Sequence, residues 1–168
     1  DVKYLLDELE RLNAVNPSWQ LNVQRAAIIG QSFGGYTALA LAGASLNFSQ
    51  LRQDCNNPKD IWNLSLLLQC RALALPLTQD NLKDWRIKAA IAINPFTSSI
   101  FGELGLRKIQ IPIAIVSSSA DTIAPALPEQ IIPFAWLTAE RKYLLSIDRA
   151  SHFSTIGESA AEDADTTI

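Results

Sequence analysis

The stretch from Ala26 to Leu46 limits what this chain can fold into more than any other part of the sequence. Ala26-Ala27-Ile28-Ile29-Gly30 is an apolar run too short for a helix and bounded by polar residues, which reads as a buried strand. Gln31-Ser32-Phe33-Gly34-Gly35 follows at once, and then an Ala- and Leu-rich stretch from Tyr36 to Leu46 that favours a helix. A strand that passes through glycines directly into a helix is the first half of a β-α-β unit.

The rest of the chain repeats the alternation. Ala89 to Ile93 is a second apolar run, closed by Asn94-Pro95. Pro112 to Val116 is a third, followed by Ser117-Ser118-Ser119-Ala120-Asp121, and Tyr143 to Ile147 is a fourth that leads into Ala150-Ser151-His152. Helices are expected from Asp1 to about Val15, where Leu5, Leu6, Leu9 and Leu12 recur at helical spacing, and near Glu129 to Ala139, with a kink at Pro133. The expectation is one α/β domain over residues 1–168, with a parallel sheet covered by helices on both faces. Residues 47–85 contain no strand pattern and are longer than an ordinary crossover. Their Trp62 and Leu66 to Leu68 suggest an amphipathic helix, either a lid that shapes an acyl pocket or a helical excursion packed into the core.

Composition excludes several classes of function. The net charge is −3 and no Lys/Arg stripe is present, so a nucleic-acid partner held through its phosphates is not expected. No apolar run approaches the ~20 residues that span a bilayer, so no transmembrane segment is expected and the chain reads as soluble. Cys55 and Cys70 match neither a zinc signature nor a Cys-x-x-Cys redox pair; two free thiols and one disulfide both fit, and a disulfide would indicate export to an oxidising compartment. The sequence opens at Asp1 directly into a helical pattern, which leads to the expectation that it is a piece of a longer polypeptide or a cleavage product.

Gly30-Gln31-Ser32-Phe33-Gly34 is G-x-S-x-G between an expected strand and an expected helix, the context in which that motif carries a nucleophile. Ser32 would sit on a tight turn that lifts its hydroxyl above the sheet edge, with glycines at 30 and 34 where strand and helix come close. The N–H of Phe33 would face a developing oxyanion from the start of the helix. A serine hydroxyl needs a base, and the sequence has a single histidine, His152, in a loop after the last strand. The carboxylate that orients it is expected to be Asp121, after the third strand, with Glu103 and Asp148 as rivals. Gln31, Phe96, Phe101 and Trp62 are candidate substrate-binding residues around the mouth. The chemistry requires no metal or organic cofactor.

These residues resemble the α/β-hydrolase superfamily. Gly30-Gln31-Ser32-Phe33-Gly34-Gly35-Tyr36-Thr37, Ser118-Ser119-Ala120-Asp121 and Ser151-His152-Phe153 are similar to the branch of dienelactone hydrolases and platelet-activating-factor acetylhydrolases. The resemblance covers most of Arg25 to Phe153 and is specific for the superfamily, not for a substrate. It implies a three-layer α/β-hydrolase fold represented by its C-terminal part, strands five to eight of a mostly parallel sheet, with Ser32 as nucleophile, Asp121 as acid and His152 as base. It further implies hydrolysis of a small-molecule or lipid-like carboxylic ester. A lipase, thioesterase or peptidase on the same triad, and a non-catalytic binding module of the same fold, are the alternatives. Gln31 stands where the family often has His. The first four strands of the family sheet have no counterpart, nor does the loop that supplies the second oxyanion-hole N–H; the N-terminal part of the same protein or a companion chain is expected to provide them.

Overall fold

A computed structural model describes residues 1–56, 63–75 and 81–156. Four strands form one sheet, β1 (Ala26–Gln31), β2 (Ile87–Ile93), β3 (Ile113–Ser118) and β4 (Lys142–Ile147), in that spatial order. Each neighbouring pair is parallel, so the α/β class and the four sequential strands expected for the C-terminal part of a hydrolase sheet are observed.

The helices are α1 (Val2–Val15), α2 (Phe33–Ala42), α3 (Phe48–Asn56), α4 (Leu64–Cys70), α5 (Gly102–Leu106) and α6 (Ile132–Trp136). The α2 helix ends four residues before the expected Leu46. Gly43, at φ 120°, adopts a backbone conformation that other residues resist and stops it. The helix expected over Glu129 to Ala139 divides instead into a π-helical turn, Leu127–Ile131, and the short α6. Pro133 is responsible, because it has no N–H to give to the carbonyl four residues earlier.

Strand register explains where the core lies. One face carries the rows Ile28–Ala90–Ile113 and Gly30–Ala92–Ile115, and these pack with Leu39 and Ala42 of α2, Phe101, Leu106 and Leu137 in the main core. The small residues Gly30 and Ala92 fall in the row beside the start of α2, where the helix must approach the sheet. A smaller cluster of Leu6, Val23, Leu41 and Ile87 attaches α1. Beside it, Arg86 holds Asp84 at 2.6 Å and Asp7 of α1 at 2.7 Å, and this guanidinium keeps the Asp84 carboxyl below its ordinary pKa.

The other face carries Ile29–Ile91–Ala114–Tyr143 and Gln31–Ile93–Val116–Leu145. It is apolar yet uncovered among the described residues: Ile29 is 66%, Tyr143 62% and Leu145 58% exposed. The expected cover on both faces is therefore found on one.

Residues 47–85 hold α3, α4 and a 3-10 turn, with Leu51 and Leu66 buried and Leu64 and Leu67 exposed. A Cys55–Cys70 disulfide ties the end of α3 to the end of α4. Closing a loop of 15 residues is worth about 3 kcal/mol in the chain-entropy account. No helix among the described residues is long and apolar enough to cross a membrane.

Candidate active site

The site is assembled at the C-terminal ends of the parallel strands, where the loops of such sheets converge. Ser32 lies between β1 and α2 with φ 59° and ψ −119°, a conformation that a non-glycine residue adopts only when its surroundings enforce it. Its N–H donates to the Ile93 carbonyl at the end of β2 (2.8 Å), and its carbonyl accepts the Tyr36 N–H (3.0 Å), so both sides of the turn are tied down.

Of the two glycines expected where strand and helix come close, the structure requires Gly30 but not Gly34. A Cβ on Gly30 would lie 2.0 Å from the Gly34 carbonyl oxygen, so glycine is required there. At Gly34 a Cβ would meet nothing within 4 Å, which corrects the expectation of a clash at that residue. The Gly34 backbone is what Gly30 approaches, and the second close approach belongs to Gly35, whose Cβ would come 2.9 Å from Pro95.

The structure brings Ser32, His152 and Asp121 into one line. The Ser32 hydroxyl lies 2.9 Å from His152 Nε2, and His152 Nδ1 lies 2.6 Å from Asp121 Oδ2. Histidine and aspartate are buried, at 3% and 5% exposure. The other Asp121 oxygen accepts the N–H groups of Ile123 and Ala124, each at 2.8 Å. An ionised carboxylate only accepts, so Nδ1 carries the ring proton and Nε2 is left to accept from the serine hydroxyl. The rivals lie elsewhere: Glu103 pairs with Arg107 on the surface, and Asp148 is exposed beside Arg149.

Phe33 is the first residue of α2, so its N–H has no acceptor within the helix and is free to donate outward. The Phe33 ring meets Phe96 edge-on at 4.7 Å. Phe96, expected to line the mouth, is instead buried at 2% exposure and stacks on the His152 ring at 6.0 Å; Phe153 meets that ring edge-on at 5.1 Å. Phe33 and Phe153 are more than half exposed and flank the serine and histidine.

The remaining candidates are placed differently. Gln31 donates from its amide to the His152 carbonyl (2.8 Å), which ties the end of β1 to the histidine loop. Phe101 is a correction: it is fully buried and stacks on Tyr36 (5.0 Å), its ring taken up by the main core with Leu39, Leu51 and Leu106. Burial raises the pKa of that Tyr36 hydroxyl. Trp62 lies outside the described residues.

Asn94 was not singled out as a functional candidate. It is fully buried at φ 42°, accepts the Ser118 N–H (2.9 Å) and donates to the His152 carbonyl (3.2 Å), joining the ends of β2 and β3 to the histidine loop. Its only trace in the sequence is the Asn94-Pro95 strand stop.

No protein-family model and no curated protein sequence matches the chain. Among solved structures, it is similar to the crystal structure of a predicted CIB-like hydrolase from Thermoplasma acidophilum, with 16% identity and a TM-score of 0.47 over 98% of this chain and 57% of that one. The chain thus spans little more than half the length of that protein.

Proposed function

We propose that the protein is a serine hydrolase that cleaves carboxylic esters through an acyl-enzyme. One observation carries this reading: a strained serine, the single imidazole and a buried carboxyl group are joined by hydrogen bonds of 2.9 and 2.6 Å.

In the proposed reaction His152 Nε2 takes the Ser32 proton as the serine oxygen attacks the ester carbonyl. Asp121 stabilises the imidazolium without itself taking the proton. The oxyanion is met by the Phe33 N–H at the positive end of α2. His152 then returns the proton to the departing alcohol and leaves the acyl group on Ser32. Water, deprotonated by the same imidazole, attacks the acyl-enzyme and releases the carboxylic acid. No step calls on a metal or organic cofactor.

The flanking Phe33 and Phe153 rings favour a small-molecule or lipid-like ester with an apolar group beside the carbonyl. The second oxyanion donor is assigned to polypeptide outside these residues, either an N-terminal part of the same protein or a companion chain. Among the described residues the edge of β1 is unpaired and one apolar face of the sheet is uncovered, which supports that assignment. The Cys55–Cys70 disulfide supports export to an oxidising compartment.

Hydrolysis of p-nitrophenyl acetate tests the reading. Ser32→Ala is expected to lower kcat by about 10⁴-fold or more with an unchanged circular dichroism spectrum. Wild-type activity in that variant rejects the assignment.

A further inference from the structure

Glu129 is a fully buried carboxyl group that the proposed reaction does not use. It sits in the π-helical turn after Asp121. Its Oε1 accepts from Asn63 Nδ2 (2.9 Å), Gln69 Nε2 (3.1 Å) and the Ser98 hydroxyl (2.7 Å), and its Oε2 from the N–H groups of Thr97 (2.9 Å) and Ser98 (3.0 Å). Among the described residues every partner is a neutral donor, a shell that suits an acceptor-only carboxylate. Its own carbonyl, which Pro133 cannot serve, accepts the Thr97 hydroxyl. The adjacent Gln130, also fully buried, donates to the carbonyls of Ala124 (3.0 Å) and Pro95 (3.3 Å).

Among the described residues no cation pairs with Glu129, and burying a carboxyl group in that way costs more than burying an apolar side chain of its size, so packing alone does not account for it. What it holds does. Thr97 and Ser98 are anchored by Glu129 and Pro95 by Gln130, so Phe96 is clamped on both sides, and Phe96 stacks on His152 and touches Phe33. Ala124 gives its N–H to Asp121 and its carbonyl to Gln130, so the acid loop is fixed to the same turn. Gln69, in α4 next to the disulfide-bonded Cys70, extends the network into that helix, accepting the N–H groups of Ser99 and Ile100.

We propose that Glu129 is a positioning residue for the hydrolysis: its buried carboxylate locks the loop after β2 to the loop after β3 and thereby sets the His152 ring between Phe96 and Asp121. This rests on the functional reading above. An amide at the same position would turn an NH₂ group into a shell of donors and loosen both loops.

The test is steady-state hydrolysis of p-nitrophenyl acetate by the full-length protein, with circular dichroism and melting temperature recorded for each variant. Glu129→Gln is expected to lower kcat by about tenfold to a hundredfold while KM hardly moves, the scale on which misplacement of about 1 Å is felt. Ser98→Ala removes one partly buried donor, keeps the fold, and is expected to lower kcat severalfold. A merely structural role would lower the melting temperature and leave the kcat of folded protein unchanged. Folded variants with wild-type kcat therefore overturn the proposal, and Ser98→Ala alone decides it if Glu129→Gln does not fold. Wild-type protein without Ser32-dependent turnover overturns the functional reading and this inference with it. Ser32-dependent turnover indifferent to both variants overturns this inference only.

Discussion

Asp121 uses its two oxygens for two tasks, one on the imidazole and one on a pair of backbone N–H groups. An asparagine cannot do both. If its oxygen stays with Ile123 and Ala124, its NH₂ faces His152 Nδ1 and forces the ring proton onto Nε2, where the serine needs a lone pair. Asp121→Asn should therefore lower kcat by about 10⁴-fold with little change in melting temperature, as rates and thermal denaturation will report. Ser32, Asp121 and His152 were legible because the motif, chain order and a solitary histidine narrow the choice to very few residues. Asn94 and Glu129 were not, since a polar residue earns a buried place only through donors and acceptors far away in sequence. Phe101 misled for the converse reason: an aromatic after a strand fits the core as well as a mouth.

Among elements, the close contact between β1 and α2 makes the sharpest demand. Gly30→Ala should cost about 3 kcal/mol or more, because the added methyl meets the Gly34 backbone, which cannot yield as a side chain would. Gly34→Ala meets open space inside a helix and should leave stability unchanged or raise it by about 0.5–1 kcal/mol. Denaturant titration of the two variants separates them. The motif marks both glycines alike, and only the paths of strand and helix tell which one is sterically required. Strands were readable to within a few residues from apolar runs. The π-helical turn was not, because Pro133 announces a break without saying how the turn before it will rearrange.

At the scale of the whole molecule, the sheet is apolar on both faces and has helices on one among the described residues. The resemblance implied that strands before β1 are missing, but an uncovered face emerges only from the register that aligns Ile29 with Ile91, Ala114 and Tyr143. Produced as this chain alone, the protein should self-associate and enhance the fluorescence of anilinonaphthalene sulfonate; Ile29→Lys with Leu145→Lys should reduce both severalfold. Unchanged dye binding contradicts that picture. The proposed hydrolysis depends on an activated oxygen at residue 32, and covalent labelling reports on it directly. Full-length protein treated with a fluorophosphonate should carry one label, mapped by peptide mass spectrometry to Ser32, and His152→Ala should slow its attachment by about 10³-fold or more. A label on another residue, or attachment to Ser32 at the same rate without the imidazole, contradicts the account.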